Sequence, residues 1–161
     1  MNLIIPDLIT LFQTAFGTTF TTYFHGRVKP EAIVQDNLPM LMVYPISERQ
    51  VRSGTLRDNT EFRIGVRIVV NVKTYYDMSA GQGTQLDSLV AVENLVSERD
   101  ADGDLQSDTV MGIINNNLTI DGNVLFTDDV ECNWEVVEVG NNIQKVTADV
   151  TFTAFDRPNR T

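Results

Sequence analysis

The sequence has few of the side chains on which most enzymes depend. Cys132 is its only cysteine and His25 its only histidine. A single thiol cannot form a disulfide within the chain, and a single imidazole cannot build a histidine-based metal centre. The carboxylates at Glu131, Glu135 and Asp149 alternate with apolar residues, as on solvated strand faces. Glycine-rich phosphate loops and nucleophile elbows are also missing, so we expect no enzyme activity, no cofactor and no metal site.

The sequence also lacks long hydrophobic runs. The apolar start at residues 3–5 is interrupted by Pro6 and Asp7, and no stretch approaches the roughly 20 apolar residues of a membrane helix. We therefore expect neither a secretion signal nor a membrane partner, and synthesis in the cytoplasm. A length of 161 residues with 42% hydrophobic residues is typical of one globular unit, which predicts a single domain over residues 1–161.

Basic residues are scarce in the second half of the chain. Residues 1–76 hold 8 Lys and Arg against 6 Asp and Glu, whereas residues 77–161 hold 4 against 16. The formal net charge of −10 therefore comes from the second half. Such an acidic surface repels phosphates, which argues against specific binding of nucleic acid by this half.

Hydrophobic periodicity predicts an α+β fold. The strongest signal is the alternation of apolar and polar residues from Glu61 to Tyr75, which is typical of a long strand. The remaining patterns predict helices at 6–16, 85–98 and about 105–117, and strands at 21–28, 38–46, 123–126, 130–139 and 143–155. Residues 140–142 form a turn signal that predicts an antiparallel hairpin between the last two strands. Together these elements predict two layers: a mostly antiparallel sheet packed with the N-terminal helix and a central helix pair.

A long polar connection at 47–60 separates two of the predicted strands. It contains Arg49, Arg52 and Arg57, and connections of this length are uncommon in compact domains unless they are functional. One interpretation is an ordinary surface loop. The other is a partner-binding arm, because arginine pairs well with carboxylates and the second half of a neighbouring copy supplies them. In that case the candidate interface consists of these three arginines with Arg63 and Arg67 on the following strand.

An acidic motif lies between the two central helices. Residues 100–104 read Asp-Ala-Asp-Gly-Asp, which matches the first ligand positions of a calcium loop. The sixth position is Leu105 instead of glycine, and the twelfth is Met111 instead of a bidentate glutamate. We therefore expect a solvated acidic turn, and weak cation binding by it stays an open alternative.

The order of these elements resembles the tail terminator, or tail-completion, proteins of long-tailed bacteriophages. The likeness covers nearly the whole chain and includes the strand bounded by prolines at 38–45, Leu-Pro-Met-Leu-Met-Val-Tyr-Pro, and the long alternating strand that follows the polar connection. The resemblance implies a virion structural protein without catalysis. Such proteins form a ring, usually a hexamer, at the head-proximal end of the tail tube.

The resemblance also implies the partners. These are further copies of the chain, the tail tube protein and a neck or head-completion protein, while DNA passes through the lumen without specific binding. A net charge of −10 in each of six copies gives about −60 for the ring, which suits an acidic lumen. The loop at 47–60 would then contact the tube or an adjacent subunit. Two alternatives stay open: another neck or tube subunit (stopper, connector or tail tube protein), and a monomeric calcium- or ligand-binding module.

Overall fold

The computed structural model describes residues 4–52, 58–71, 85–120, 122, 124–139 and 143–156. The elements in chain order are α1 (Ile4–Phe16), β1 (Thr22–His25), β2 (Met40–Arg52), β3 (Asp58–Asn71), α2 (Gln85–Ser97), α3 (Val110–Asn116), β4 (Val124–Val139) and β5 (Ile143–Asp156). Two short 3₁₀ turns, Pro30–Ala32 and Gln35–Asn37, lie between β1 and β2.

The strands form one five-stranded sheet in the order β1-β2-β3-β5-β4. β1 runs parallel to β2, whereas the other neighbouring pairs are antiparallel. The helix α1 packs on β1 and β2, and α2 packs on β3 and β5 and against α3. The α+β fold predicted from the sequence, with a mostly antiparallel sheet, an N-terminal helix and a helix pair, is confirmed.

The alternation in β3 directs its apolar side chains toward the helices. Every second residue from Phe62 to Val70 joins the main core, together with Leu8 and Phe12 of α1. Because adjacent strands share the pleat, the facing residues of β5 from Val146 to Ala154 lie on the same side. The predicted strand is therefore confirmed up to Asn71, and residues 72–75 lie outside the described part of the chain.

The opposite side of the sheet is covered by residues 26–38, which connect β1 to β2 and are called the cover segment below. Ile33 of this segment packs with Met42 and Val69 in a second, smaller cluster. The ammonium group of Lys145 on β5 donates a hydrogen bond to the carbonyl oxygen of Ile33. The cover segment also contacts the far edge strand β4, so it crosses the sheet from one side to the other.

The loop expected at 47–60 is largely strand. β2 continues to Arg52 and β3 begins at Asp58, in a regular antiparallel register after a shift between Pro45 and Ser47. The loop prediction is therefore wrong for residues 47–52 and 58–60, while 53–57 lie outside the described residues. Residues 47–50 of β2 are all exposed, and a strand that is exposed on both sides needs no apolar face, so its sequence carries no alternation.

The two strands predicted at 123–126 and 130–139 are one strand, β4. Its register against β5 shifts between Asp128 and Glu131, and Asp129 there has a φ of +54°. A β-bulge of this kind inserts extra residues without ending the strand. The adjacent Asp128 and Asp129 resemble a turn in sequence, which explains why two strands were predicted here instead of one. The predicted antiparallel pairing with the following strand is confirmed, and its turn at 140–142 is outside the described ranges.

Candidate interaction site

The β2–β3 hairpin extends beyond the rest of the sheet. β5 pairs with β3 from Glu61 onward, and β1 pairs with β2 only at residues 40–43. Residues 50–52 and 58–60 thus pair only with each other among the described strands. We call 49–52 and 58–61 the ribbon. The three residues of β3 beyond Glu61 reach about 10 Å past the three-stranded part, at roughly 3.3 Å per residue.

Two of the five predicted interface arginines lie in the described part of the ribbon. Arg49 is exposed at the base of the ribbon, directly opposite Glu61 on the other strand. Arg52 lies at the end of β2, where only its backbone is described. Arg57 falls outside the described residues. The base of the ribbon therefore presents Arg49 to solvent, on a part of β2 that β1 does not pair with.

Arg63 lies on the cover-facing side of β3, next to the ribbon. Its guanidinium nitrogen Nη2 is 3.4 Å from the carboxylate oxygen Oε2 of Glu131, which it reaches across β5. The two side chains are 50% and 64% exposed. Exposed pairs of this kind contribute little to stability, so a partner could engage either side chain at small cost.

Arg67 lies inside the sheet and not at an interface. It is 4% exposed, and its guanidinium makes two hydrogen bonds to Asp149 on β5, of 2.6 Å from Nε to Oδ1 and 2.5 Å from Nη2 to Oδ2. The hydrogen bond to Asp149 raises the pKa of Arg67 and outweighs the lowering effect of burial. The prediction that Arg67 contacts a partner is contradicted by its burial, since the guanidinium is enclosed in the sheet and donates its two short bonds to a carboxylate of the same chain.

Tyr44 completes a polar cluster around this pair. Its hydroxyl donates a hydrogen bond of 3.0 Å to Oδ1 of Asp149, and burial, followed by the charge of Asp149, raises the pKa of Tyr44 to about 12. The ring lies against Gly65, where an added Cβ would be 2.5 Å from the Tyr44 Cζ atom. The Arg27 guanidinium carbon is 5.3 Å from the ring centroid, within the range of a cation–π contact.

The expectation that Asp149 lies on a solvated face is accordingly wrong, since its side chain is only 20% exposed and accepts bonds from both Arg67 and Tyr44. Glu131 and Glu135 are exposed as expected. The sequence gives no signal for the buried pair, because the cover segment has no regular apolar pattern that would predict which strand face it covers.

The single thiol is poorly placed for chemistry. Cys132 on β4 is partly buried against the main core. Burial, followed by the nearby charge of Asp149, raises the pKa of Cys132 to about 11. Since the thiolate is the reactive form of cysteine, this environment disfavours a nucleophilic role at neutral pH.

The acidic motif at 100–104 forms a closed turn. The Oδ1 atom of Asp100 accepts hydrogen bonds from the backbone amides of Asp102 and Asp104 at 3.0 and 2.9 Å. Arg99 donates a bond of 2.7 Å to the carbonyl of Gly103. Within the described residues, no group of three or more His, Cys, Asp or Glu side chains could hold a metal ion. No helix in those ranges is long and apolar enough to cross a membrane.

Comparison of the sequence with family models and with curated proteins gives no relative from which a role could be transferred. No protein-family model matches the chain. No curated protein is significantly similar to it in sequence.

Proposed function

We propose that the protein is a virion structural protein, a ring-forming tail terminator that caps the tail tube of a long-tailed bacteriophage and joins it to the head-neck connector. The observation that carries this proposal is the ribbon. Its outer residues leave both backbone edges of a two-stranded sheet unpaired by the rest of the described chain. Unpaired strand edges readily pair with or dock on another chain, and so an exposed ribbon suits an assembly subunit.

The placement of the charges supports the same role. Arg49 and Arg63, at and next to the base of the ribbon, are exposed, whereas Arg67 is neutralised inside the sheet. Arginine forks recognise carboxylates on a partner surface. The second half of the chain carries a large acidic excess, and a ring with such a surface lets DNA pass without binding it.

The described side chains also favour assembly over catalysis. The thiol of Cys132 has a raised pKa, and the Asp149 carboxylate is occupied by Arg67 and Tyr44. Neither group is free to act on a substrate. In this proposal the protein has no enzyme activity, is assembled in the host cytoplasm, and remains in the virion in contact with the tail tube protein and a neck or head-completion protein.

The ring itself is tested by native mass spectrometry and negative-stain electron microscopy of the purified full-length chain. We expect closed rings, with the mass of six copies, at low and moderate salt. Filaments would indicate a tube subunit instead, which is the nearest alternative. A monomer at every concentration examined, stabilised against heat by calcium, would contradict the proposal and favour a ligand-binding module.

The ribbon is tested with the variant Arg49→Ala/Arg52→Ala/Arg57→Ala. We expect this variant to fold and to bind the tail tube protein encoded in the same genome more weakly than the native chain, because the guanidinium groups are removed while the strands remain. Glu93→Ala/Glu98→Ala, on the exposed side of the helical layer, is the matched control. Unchanged binding of the tube protein by the triple variant would refute the assignment of the ribbon.

A further inference from the structure

The two sides of the sheet bury different kinds of side chain. Toward the helices, every second residue of β3 from Phe62 to Val70 and of β5 from Val146 to Ala154 is apolar. On the side of these strands that faces the cover segment, most of the buried side chains are polar. Five of them are at most 8% exposed: Arg67, Asn71, Lys145, Thr147 and Thr153. The side covered by an irregular segment is therefore the polar side of the sheet.

The cover segment itself buries few side chains. Among the side chains described for residues 26–29 and 31–38, Ile33 is the one that is buried, at 5% exposure. Val28 and Leu38 are partly buried beside it, whereas Val34 is 60% exposed. Hydrophobic stabilisation is roughly proportional to the apolar area removed from water, so the seated cover segment gains little of it.

The cover segment is tied to the sheet by a buried ammonium group. Lys145 donates its hydrogen bond to the carbonyl oxygen of Ile33 in the middle of the segment. Burial lowers the pKa of Lys145, while the charge of Glu31 on the cover segment acts in the opposite direction. Burial therefore disfavours the charged form of this group. If the cover segment moves away, the ammonium group returns to water and part of this desolvation cost is recovered.

Several backbone hydrogen bonds of the cover segment are internal. The amides of residues 32, 37 and 38 donate to carbonyl oxygens three residues earlier, at 2.9, 3.2 and 3.1 Å. These turns can stay intact when the segment moves. The amide of Val28 does reach the sheet, but its acceptor is the sulfur of Met42 at 3.4 Å, and a thioether is a weak acceptor.

A sheet face that is always dry would be better stabilised by apolar side chains. Replacing a buried ion pair by apolar residues of similar volume is often neutral or stabilising, because desolvation offsets the attraction of the charges. Polar side chains suit a face that meets water for part of the time. Arg67, Asp149 and Lys145 all lie on the face under the cover segment, whereas the buried residues of β3 and β5 that face the helices are apolar.

We propose that the cover segment is a strap that opens as a unit while the sheet and the helices stay folded. Both of its ends are held by backbone hydrogen bonds. The Gly26 amide donates to the Val43 carbonyl at 2.9 Å, and the Pro39 carbonyl accepts from the Thr21 amide at 2.8 Å. Opening between these ends uncovers the polar face around Arg67 and leaves the main core closed. The inference concerns one copy of the chain and does not depend on the proposed ring.

Thiol labelling of the full-length chain tests the strap. Cys132 is the only cysteine, so Cys132→Ala removes the native thiol. In this background Val69→Cys places a thiol in the cluster around Ile33, and the control Val70→Cys places one in the main core; both valines are 0% exposed. Local opening costs less free energy than global unfolding. We therefore expect Ellman's reagent to label Val69→Cys at least about 100-fold faster than Val70→Cys.

Urea and one further substitution distinguish local opening from global unfolding. Urea below the unfolding transition should accelerate the labelling of Val70→Cys steeply and that of Val69→Cys only slightly, because opening of the strap exposes little surface. Ile114→Val on α3 makes the main core less stable. It should raise the labelling rate of Val70→Cys about two- to tenfold and leave that of Val69→Cys unchanged.

Two results would overturn the proposal. Equal acceleration of both thiol variants by Ile114→Val would mean that the cover segment leaves the sheet only when the whole chain unfolds. Labelling of Val69→Cys at the rate of the urea-unfolded chain would mean that the cover segment is not seated on the sheet at all. The comparison with Ile114→Val is made within each thiol variant, so a difference in stability between Val69→Cys and Val70→Cys does not affect it.

Discussion

Replacing Asp149 by asparagine should destabilise the fold strongly. Arg67 is 4% exposed and donates both of its short hydrogen bonds to this carboxylate. Removal of one partner from a buried pair costs about 3–5 kcal/mol, because the remaining charge is buried without compensation. The Asp149 side chain is 20% exposed, and an asparagine oxygen still accepts one bond from the guanidinium. We therefore expect a loss of about 2–4 kcal/mol in the free energy of unfolding.

A double-mutant cycle separates the interaction energy between Arg67 and Asp149 from the general destabilisation that either substitution causes in the sheet. Arg67→Met removes the charge and keeps the aliphatic stem, while Asp149 retains the hydrogen bond from Tyr44. The combination Arg67→Met/Asp149→Asn leaves no charged side chain at either of these two positions. It should cost at least about 1 kcal/mol less than the sum of the two single variants, because residues in one network are coupled.

The measurement is urea unfolding at one fixed protein concentration, since assembly shifts apparent stability. For a chain of this size each kcal/mol lowers the melting temperature by about 2–4 °C, so Asp149→Asn should melt roughly 4–16 °C below the native protein. An Asp149→Asn variant within 0.5 kcal/mol of the native protein, on the order of the usual effect of a surface change, would refute the argument. Losses in unfolding free energy of the two single variants that add up to the loss of the double variant would also refute the argument.

Three further predictions concern other positions. Gly65→Ala places a Cβ 2.5 Å from Tyr44 Cζ and should cost about 1–3 kcal/mol in urea unfolding, a cost that Tyr44→Ala should largely remove. Thr109→Ala removes the acceptor of the 3.1 Å bond from the Gly112 amide at the start of α3 and should cost about 1 kcal/mol, whereas Thr109→Ser should be nearly neutral. Cys132, with a pKa of about 11 against 9.0 for a free thiol, should be alkylated at pH 8 about 100-fold more slowly than in the urea-unfolded chain. Equal alkylation rates in the folded and the urea-unfolded chain would contradict the burial of the thiol. Because the pKa is raised in the folded chain, the protonated thiol contributes to stability fully below pH 9.0, and this contribution is lost as the pH rises from 9.0 to about 11.

The core strands could be predicted from the sequence because their surroundings differ on the two sides. In β3, the residues from Phe62 to Val70 that point toward the helices are all apolar, whereas the other side mixes Arg63, Gly65 and Arg67 with Val69. This difference produces the period of two from which the strand was predicted. Residues 47–50 of β2, which lead into the ribbon, are exposed on both sides, and the same backbone conformation there leaves no periodic signal.

The burial of Arg67 and its pairing with Asp149 could not be predicted from the sequence, because they depend on strand pairing. It and Asp149 are 82 residues apart, and they meet only because of the register between β3 and β5. Hydrophobic alternation identifies which residues share a face, but it does not give the partner strand or the register. Two arginines on the same face of one strand can therefore differ in exposure. Arg63 is exposed and Arg67 is buried, depending on where the cover segment crosses this face of the sheet.

The two free edges of the described sheet, β1 and β4, are managed differently, and the difference bears on assembly. Exposed edge strands are usually protected from indiscriminate pairing by charge, by a bulge or by short length. β4 has acidic residues and the bulge at Asp129, whereas β1 is protected mainly by being four residues long. β1 contains no Lys, Arg, Asp or Glu, so charge protects only the β4 edge. Because like charges repel, the acidic residues of β4 disfavour a contact between the β4 edges of two copies, and the short length of β1 limits the number of hydrogen bonds that another strand could make to it.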